Sequence, residues 1–291
     1  MKQVCKAILF VFVGLSGVAQ EPVAPKTLIP LIVTGSHHRL SNLTAESLVI
    51  TDQKTTVTGA SLLRGADLPT ELGVLIDVSN SQRSSLHDDY LKAINQFVHA
   101  TIRGPEDRMF FLQFDSTPQA TGWLTKEQLP GTKFNVRIGG ATALYDALAM
   151  ACKQRMGPRN WGKPTRRVLV LISDGDDNLS HITRDEAALE ALRAGVVIFT
   201  INNTNLFGTS RQGEHVMETF TKLTGGESFT ELVGTDVPKA FESIQKMIDS
   251  MYFLSYVPPD ASKDVVHEVE VKPAPKEKIQ LSYAKKYFWN P

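Results

Sequence analysis

The sequence is poor in cysteine, in charge of either sign in excess, and in long apolar runs. It has two cysteines in 291 residues, Cys5 and Cys152. Two cysteines make no disulfide framework, and no Cys/His spacing of the zinc-site kind occurs. Lysines and arginines number 31, as do the acidic residues. That balance excludes the basic footprint of a nucleic-acid-binding chain. There is no internal repeat and no low-complexity tract. The GxGxxG, Walker, HExxH and GxSxG motifs are absent, so the common nucleotide-binding, zinc-protease and esterase signatures are excluded. After the first residues, no apolar segment reaches the length of a membrane span.

Those first residues are MKQVCKAILFVFVGLSGVAQ. Lys2 and Lys6 precede an apolar core, and Gly17-Val18-Ala19 supplies the small residues of a cleavage site. The pattern predicts a signal peptide over residues 1–19, with Gln20 as the mature N-terminus and export from the cytoplasm. A retained membrane anchor is the alternative. Cys5 leaves with the signal. Cys152 shares a helical face with Leu144, Leu148 and Ala151, which predicts a buried, inert thiol.

The remaining chain, ordinary in its hydrophobic and charged content, divides by pattern. Residues 20–69 carry short β-type runs, at Thr27–Thr34, Ser47–Thr51 and Thr55–Leu63. From Thr70 the pattern changes. ELGVLID, RVLVLIS and VVIFTIN are near-continuous apolar runs, the mark of strands covered on both faces. Helical periods separate them, at Ser85–Ile102, from Thr142, from the capping box Thr183–Glu186 to Gly195, over Glu214–Leu223 and over Val237–Met251. This alternation predicts an α/β fold for residues 70–250, a doubly wound and mostly parallel sheet with helices on both faces. Residues 251–291 return to β character. The two β-rich flanks are expected to pack together as a small sandwich, with the α/β domain inserted between them.

The stretch Leu72–Leu86 reads LGVLIDVSNSQRSSL. A buried strand runs into Asp77, and Ser79 and Ser81 follow at two-residue steps, a spacing that lets all three face one point. Ser173-Asp174-Gly175-Asp176-Asp177-Asn178 ends a second buried strand, and Thr142 follows Gly139-Gly140 at a helix start. Ligands of open α/β sheets bind outside the carboxyl ends of the strands. An all-oxygen donor set without His or Cys suits Mg²⁺, with Mn²⁺ or Ca²⁺ as alternatives. Helix N-termini after Ser81 and at Thr142 are expected to favour an incoming anion. Each residue also has an ordinary use as a cap or turn former.

Taken together, Asp77-x-Ser79-x-Ser81, Thr142 and Asp174 resemble the metal-ion-dependent adhesion site of von Willebrand factor type A domains, with Thr142 and Asp174 lying 65 and 97 residues after Asp77. The likeness covers Thr70–Ser250. The signal, the lead LTAESLVI and the tail YFLSYVPPD, VHEVEVK and KKYF resemble the secreted bacterial proteins of this kind, of the acidobacterial type. The resemblance implies a metal site of Asp77, Ser79, Ser81, Thr142 and Asp174. The hydroxyls would touch the metal, and the carboxylates would act directly or through water. It also implies a non-enzymatic adhesion module that grips an acidic residue of a protein partner. Asn80 and Gln82 depart from the family's usual Gly and Met without removing a ligand. Asp176 and Asp177 are read as a solvated loop, with a second cation site as the alternative.

Two other functions fit the sequence less well. One is a structural or assembly protein with an unused metal site. The other is a Mg²⁺-dependent phosphohydrolase of the haloacid dehalogenase type, which needs an acidic residue where Ser79 stands. Gly208-Thr-Ser210 resembles a subtilase serine loop only locally. The pair His37-His38 makes a poor chelate.

Overall fold

The computed structural model describes residues 26–35, 43–84, 88–131, 137–160, 163–202, 210–230, 236–260, 262 and 265–290. The expected signal segment, Cys5 and the pair His37-His38 lie outside these residues.

The chain opens with four strands, β1 (Ile29–Thr34), β2 (Leu48–Asp52), β3 (Thr55–Thr56) and β4 (Ser61–Arg64). A single strand was expected over Thr55–Leu63. It is divided at Gly59, whose φ of 68° turns the chain, and its halves join different sheets.

The α/β unit follows. It comprises β5 (Thr70–Asp77), α1 (Asp88–Thr101), β6 (Arg108–Phe114), β7 (Gln119–Ala120), β8 (Leu124–Thr125), α2 (Leu144–Ala149), β9 (Arg166–Ile172), α3 (Arg184–Ala194), β10 (Val197–Ile201), α4 (Arg211–Thr224), β11 (Ser228–Phe229) and α5 (Asp236–Asp249). The sheet runs β11-β10-β9-β5-β6-β7, with β8 also on β6. All pairings from β11 to β6 are parallel, and β7 and β8 pair antiparallel to β6. The apolar runs sit where this topology needs them, because β5 and β9 are buried at every residue. Val74 and Ile76 of β5 face a core with α1 and α5. Leu75 faces the opposite core, with α2, α3 and α4. The fold is the expected doubly wound one. The chain leaves β5 toward β6 and returns to its other side at β9, so the carboxyl end of β5 is a switch point.

Local signals explain most helix ends. The capping box of Thr183 and Glu186 forms, and Gly195 ends α3 with a φ of 61°. The helix expected from Glu214 starts at Arg211, because Ser210 accepts the Gly213 N–H as its N-cap. The helix from Thr142 is α-helical only over Leu144–Ala149, and continues to Met156 as a π-helix. Cys152 is buried in that segment, and burial pushes its thiol well above the ordinary range.

The last strands are β12 (Met251–Ser255), β13 (Val265–Pro273), β14 (Gln280–Tyr283) and β15 (Lys286–Trp289). They pair with the first ones in two antiparallel sheets, β14-β1-β12-β4 and β15-β13-β2-β3. Inward residues of both sheets, among them Leu31, Ile50, Leu254, Val271 and Trp289, share one core. Among the described residues no helix is long and apolar enough to cross a membrane.

Candidate metal centre

Three loops meet beyond the carboxyl ends of β5, β6 and β9. The β5 loop brings Asp77, Ser79 and Ser81, the last of these in a 3-10 turn, Asn80–Ser84. The β9 loop brings Asp174. The Gly139–Ala143 segment brings Thr142, pinned on both sides. The Asn80 N–H donates to the Gly140 carbonyl at 3.2 Å, and the Gly139 N–H to the Val78 carbonyl at 2.8 Å. On the other side, the Thr142 N–H donates to Asn178 Oδ1 at 2.9 Å, and the Asn178 N–H returns to the Thr142 carbonyl at 3.0 Å.

Side-chain hydrogen bonds link the donors. Asp77 Oδ1 accepts the Ser79 N–H at 2.9 Å, and Oδ2 accepts the Ser173 hydroxyl at 2.6 Å. Ser79 Oγ and Ser81 Oγ are hydrogen-bonded at 3.1 Å. Gln82 Nε2 donates to Asp174 Oδ2 at 3.1 Å and to Ser81 Oγ at 3.3 Å, which ties the β5 loop to the β9 loop. Asp174 Oδ1 accepts the Asp176 N–H at 3.1 Å. Asp77, Ser79, Thr142 and Asp174 are buried, and Ser81 is exposed at the rim.

Two glycines allow the loops to come this close. Gly140 has a φ of 79°, and a Cβ there would fall 2.8 Å from Ser116 Oγ. Gly175 has a φ of 85°, and its Cβ would fall 2.2 Å from the Gly213 carbonyl oxygen. Both need left-handed backbone, which glycine adopts without steric cost.

The electrostatics are those of an acidic site without a cation of its own. Among the described residues, no Lys, Arg or His pairs with Asp77 or Asp174. Burial pushes the Asp77 carboxyl up to about 6; hydrogen bonds from Ser173 and Ser79 oppose this, and Asp174 adds to it. Thr142 Oγ1, though almost buried, makes no hydrogen bond among the described residues. The donor set fits a hard divalent cation. It offers two carboxylates that no basic side chain among the described residues offsets, with the Ser79 and Ser81 hydroxyls held beside them.

Two expectations change. The helix N-terminus at Thr142 is not free for an anion, and the residues that lead into the helix after Ser81, 85–87, lie outside the described ones. The N–H groups of Thr142, Ala143, Tyr145 and Asp146 are taken by Asn178, the Asp115 carbonyl, Asp177 and Ser180. Asp176 and Asp177 are not a solvated pair either. Asp177 accepts from Tyr145 and Ser180, and Asp176 accepts the Ser210 hydroxyl. Ser210 is thus a helix cap, and Gly208 and Thr209 before it lie outside the described residues. Sequence reasoning missed Gln82, Asn178 and the Asp115-Ser116 pair as supports. The last could have been noticed as polar residues directly after a buried strand.

A doubly wound sheet with an oxygen-donor array at its switch point defines a class of α/β ligand-binding domains. The von Willebrand factor type A domain profile matches residues 71–247, and the chain belongs to that family. Among solved structures, the vWF domain of the type V pili tip protein Mfa5 from Porphyromonas gingivalis is similar at 14% identity and a TM-score of 0.50, covering 62% of this chain and 95% of that one. A von Willebrand factor type A protein from Catenulispora acidiphila is 10% identical, with a TM-score of 0.47 over 94% of this chain and 76% of that one. The manganese-loaded TRAP protein of Plasmodium vivax is 14% identical, with a TM-score of 0.43 over 84% of this chain and all of that one. No curated protein matches the chain.

Proposed function

We propose that this protein is an exported, non-enzymatic binding module, in which Asp77, Ser79, Ser81, Thr142 and Asp174 hold a divalent cation that receives an acidic side chain of a protein partner. Mg²⁺ is the first choice of metal, and Mn²⁺ and Ca²⁺ are the alternatives. The observation that carries this reading is the meeting of three loops, one of them bearing Thr142, at two buried carboxylates that pair with no Lys, Arg or His among the described residues, beside the hydroxyls of Ser79 and Ser81. Membership of the von Willebrand factor type A family supports it, since that family is one of interaction modules.

The chain's own residues set the character of the site. Asp77 is locked by Ser79 and Ser173, and Asp174 by Gln82 and Asp176, so neither carboxylate is free to swing. The cation, when bound, supplies a positive centre with room for an outside carboxylate. Ser81 at the exposed rim marks the side from which a partner would come.

The test is thermal unfolding of the mature chain in EDTA and then in millimolar Mg²⁺, Mn²⁺ or Ca²⁺. A ligand that binds only the folded state raises its stability, by about 2.7 kcal/mol at a hundred times its Kd. The expected result is a metal-dependent rise that is lost in Asp174→Ala. An unchanged melting midpoint in every metal refutes the reading. Where the rise is seen, capture of acidic-peptide beads with metal, and their release by EDTA, tests the partner's chemistry.

A further inference from the structure

We propose that Gln82 is a positioning residue of the metal site, holding Ser81 and Asp174 in register and offering its side-chain oxygen to a proton donor that arrives with the hydrated cation. The inference rests on the reading of the five oxygen-bearing residues as a cation site.

Three observations lead to it. First, Gln82 is completely buried, although it sits only one residue beyond the exposed Ser81. A glutamine taken out of water has to place both ends of its amide. Second, its Nε2 end is well placed, with one hydrogen bond to Asp174 across 92 residues of chain and one to its neighbour Ser81. Among the described residues, the one other side-chain link between these two loops is that of Asp77 with Ser173. Asp174 is an acceptor when ionised, so the nitrogen has to face it, and this fixes which way the amide points. Third, the opposite end is unplaced. Gln82 Oε1 is buried and has no hydrogen-bond partner among the described residues.

A buried amide oxygen without a donor is costly, and such groups concentrate where a ligand completes the network. Oε1 is bonded to the same carbon as Nε2 and so lies beside Ser81 and Asp174. The described residues supply no donor there, whereas a hydrated cation brings strongly polarised O–H groups. Residues behind a metal's direct ligands orient those ligands and typically change metal affinity 10–100-fold when replaced. Gln82 would act in this way on two donors from two different loops. A methionine at this position fills the same volume but can hold neither.

The test measures Mn²⁺ binding to the full mature chain by calorimetry, with melting in EDTA measured alongside. In Gln82→Met the expected result is a Kd for Mn²⁺ raised about 10–100-fold, while the metal-free melting midpoint stays close to the wild-type value. A merely structural role would do the reverse, lowering the metal-free midpoint and leaving the Kd unchanged, and that result overturns the proposal. Asp174→Ala separates the two levels of argument. If wild type binds Mn²⁺, Asp174→Ala does not, and Gln82→Met binds as wild type, the cation site stands and the role of Gln82 falls. If wild type shows no Mn²⁺ binding, both fall. Should Gln82→Met fail to fold, Gln82→Asn, one methylene short of its partners, is judged by the same two outcomes.

Discussion

The core of the terminal β-sheets contains a polar cluster whose removal gives a sharp stability prediction. Asp52, at the end of β2, is fully buried and accepts from three side chains that lie more than 200 residues away. Tyr256 donates at 2.8 Å, Tyr287 at 2.5 Å and His267 Nδ1 at 3.0 Å. His267 also stacks on Tyr287, with ring centroids 5.0 Å apart. Burial pushes both phenols above their ordinary range, so they remain protonated donors. The cluster thus ties the first part of the chain to three points in the last part.

Asp52→Ala would take a shared acceptor from two hydroxyls and an imidazole N–H in an apolar interior, leaving the two phenols to each other. Each buried group that loses a hydrogen bond in this way costs about 1–3 kcal/mol. Water entering the space left by the carboxylate would recover part of this, so the expected loss is about 3–5 kcal/mol, the range for breaking a buried charged network. Tyr256→Phe removes the donor together with its bond, and should cost only about 1 kcal/mol. The assay is urea unfolding followed by tryptophan fluorescence, for which the fully buried Trp289 is a reporter within the same core. A loss below about 1 kcal/mol for Asp52→Ala, no larger than that for Tyr256→Phe, refutes the reasoning.

Two further predictions concern the metal centre. Gly175→Ala should cost about 2–4 kcal/mol, because it combines left-handed backbone with a Cβ 2.2 Å from a carbonyl oxygen; a chemical unfolding midpoint equal to the wild type's would refute it. Asp77, whose carboxyl is pushed up from 3.8 to about 6, makes the folded metal-free chain hold a proton that the unfolded chain releases, so stability in EDTA should fall as pH rises from about 4 to 6. Asp77→Asn should remove that slope and be more stable than wild type in EDTA at pH 7 by about 2–3 kcal/mol, while losing any response to metal; a less stable variant in EDTA refutes the assignment.

The parts of this fold that were legible from sequence are those set by one strong local pattern. β5 and β9 are buried at every residue, and a continuous apolar run has no other comfortable place in an α/β chain. The α3 cap was legible because Thr183 and Glu186 satisfy each other within four residues. The π-helix after Ala149 was not, since LYDALAMACKQRM gives much the same apolar stripe with either hydrogen-bond spacing. The break between β3 and β4 was not, since Gly59 could equally have sat within a strand as a bulge.

The candidate site divides along the same line. Asp77, Ser79, Ser81, Thr142 and Asp174 stand out because a chemistry calling for hard oxygen donors restricts residue type, and strand ends restrict position. Their supports do not stand out. Holding Thr142 in place needs only an acceptor for one N–H, which Asn178 provides here and many polar side chains or carbonyls could provide. Holding Asp174 needs only a donor, which comes from Gln82 across 92 residues. Nor could the sequence show that the helix N-terminus at Thr142 is occupied, because Asp177 and Ser180 reach Tyr145 and Asp146 only through the fold. Residues proposed to bind are marked by what they are, and residues that support are marked by where they arrive. In this protein the second group gives two buried acidic side chains, which meet no basic partner among the described residues, the hydrogen bonds that hold them.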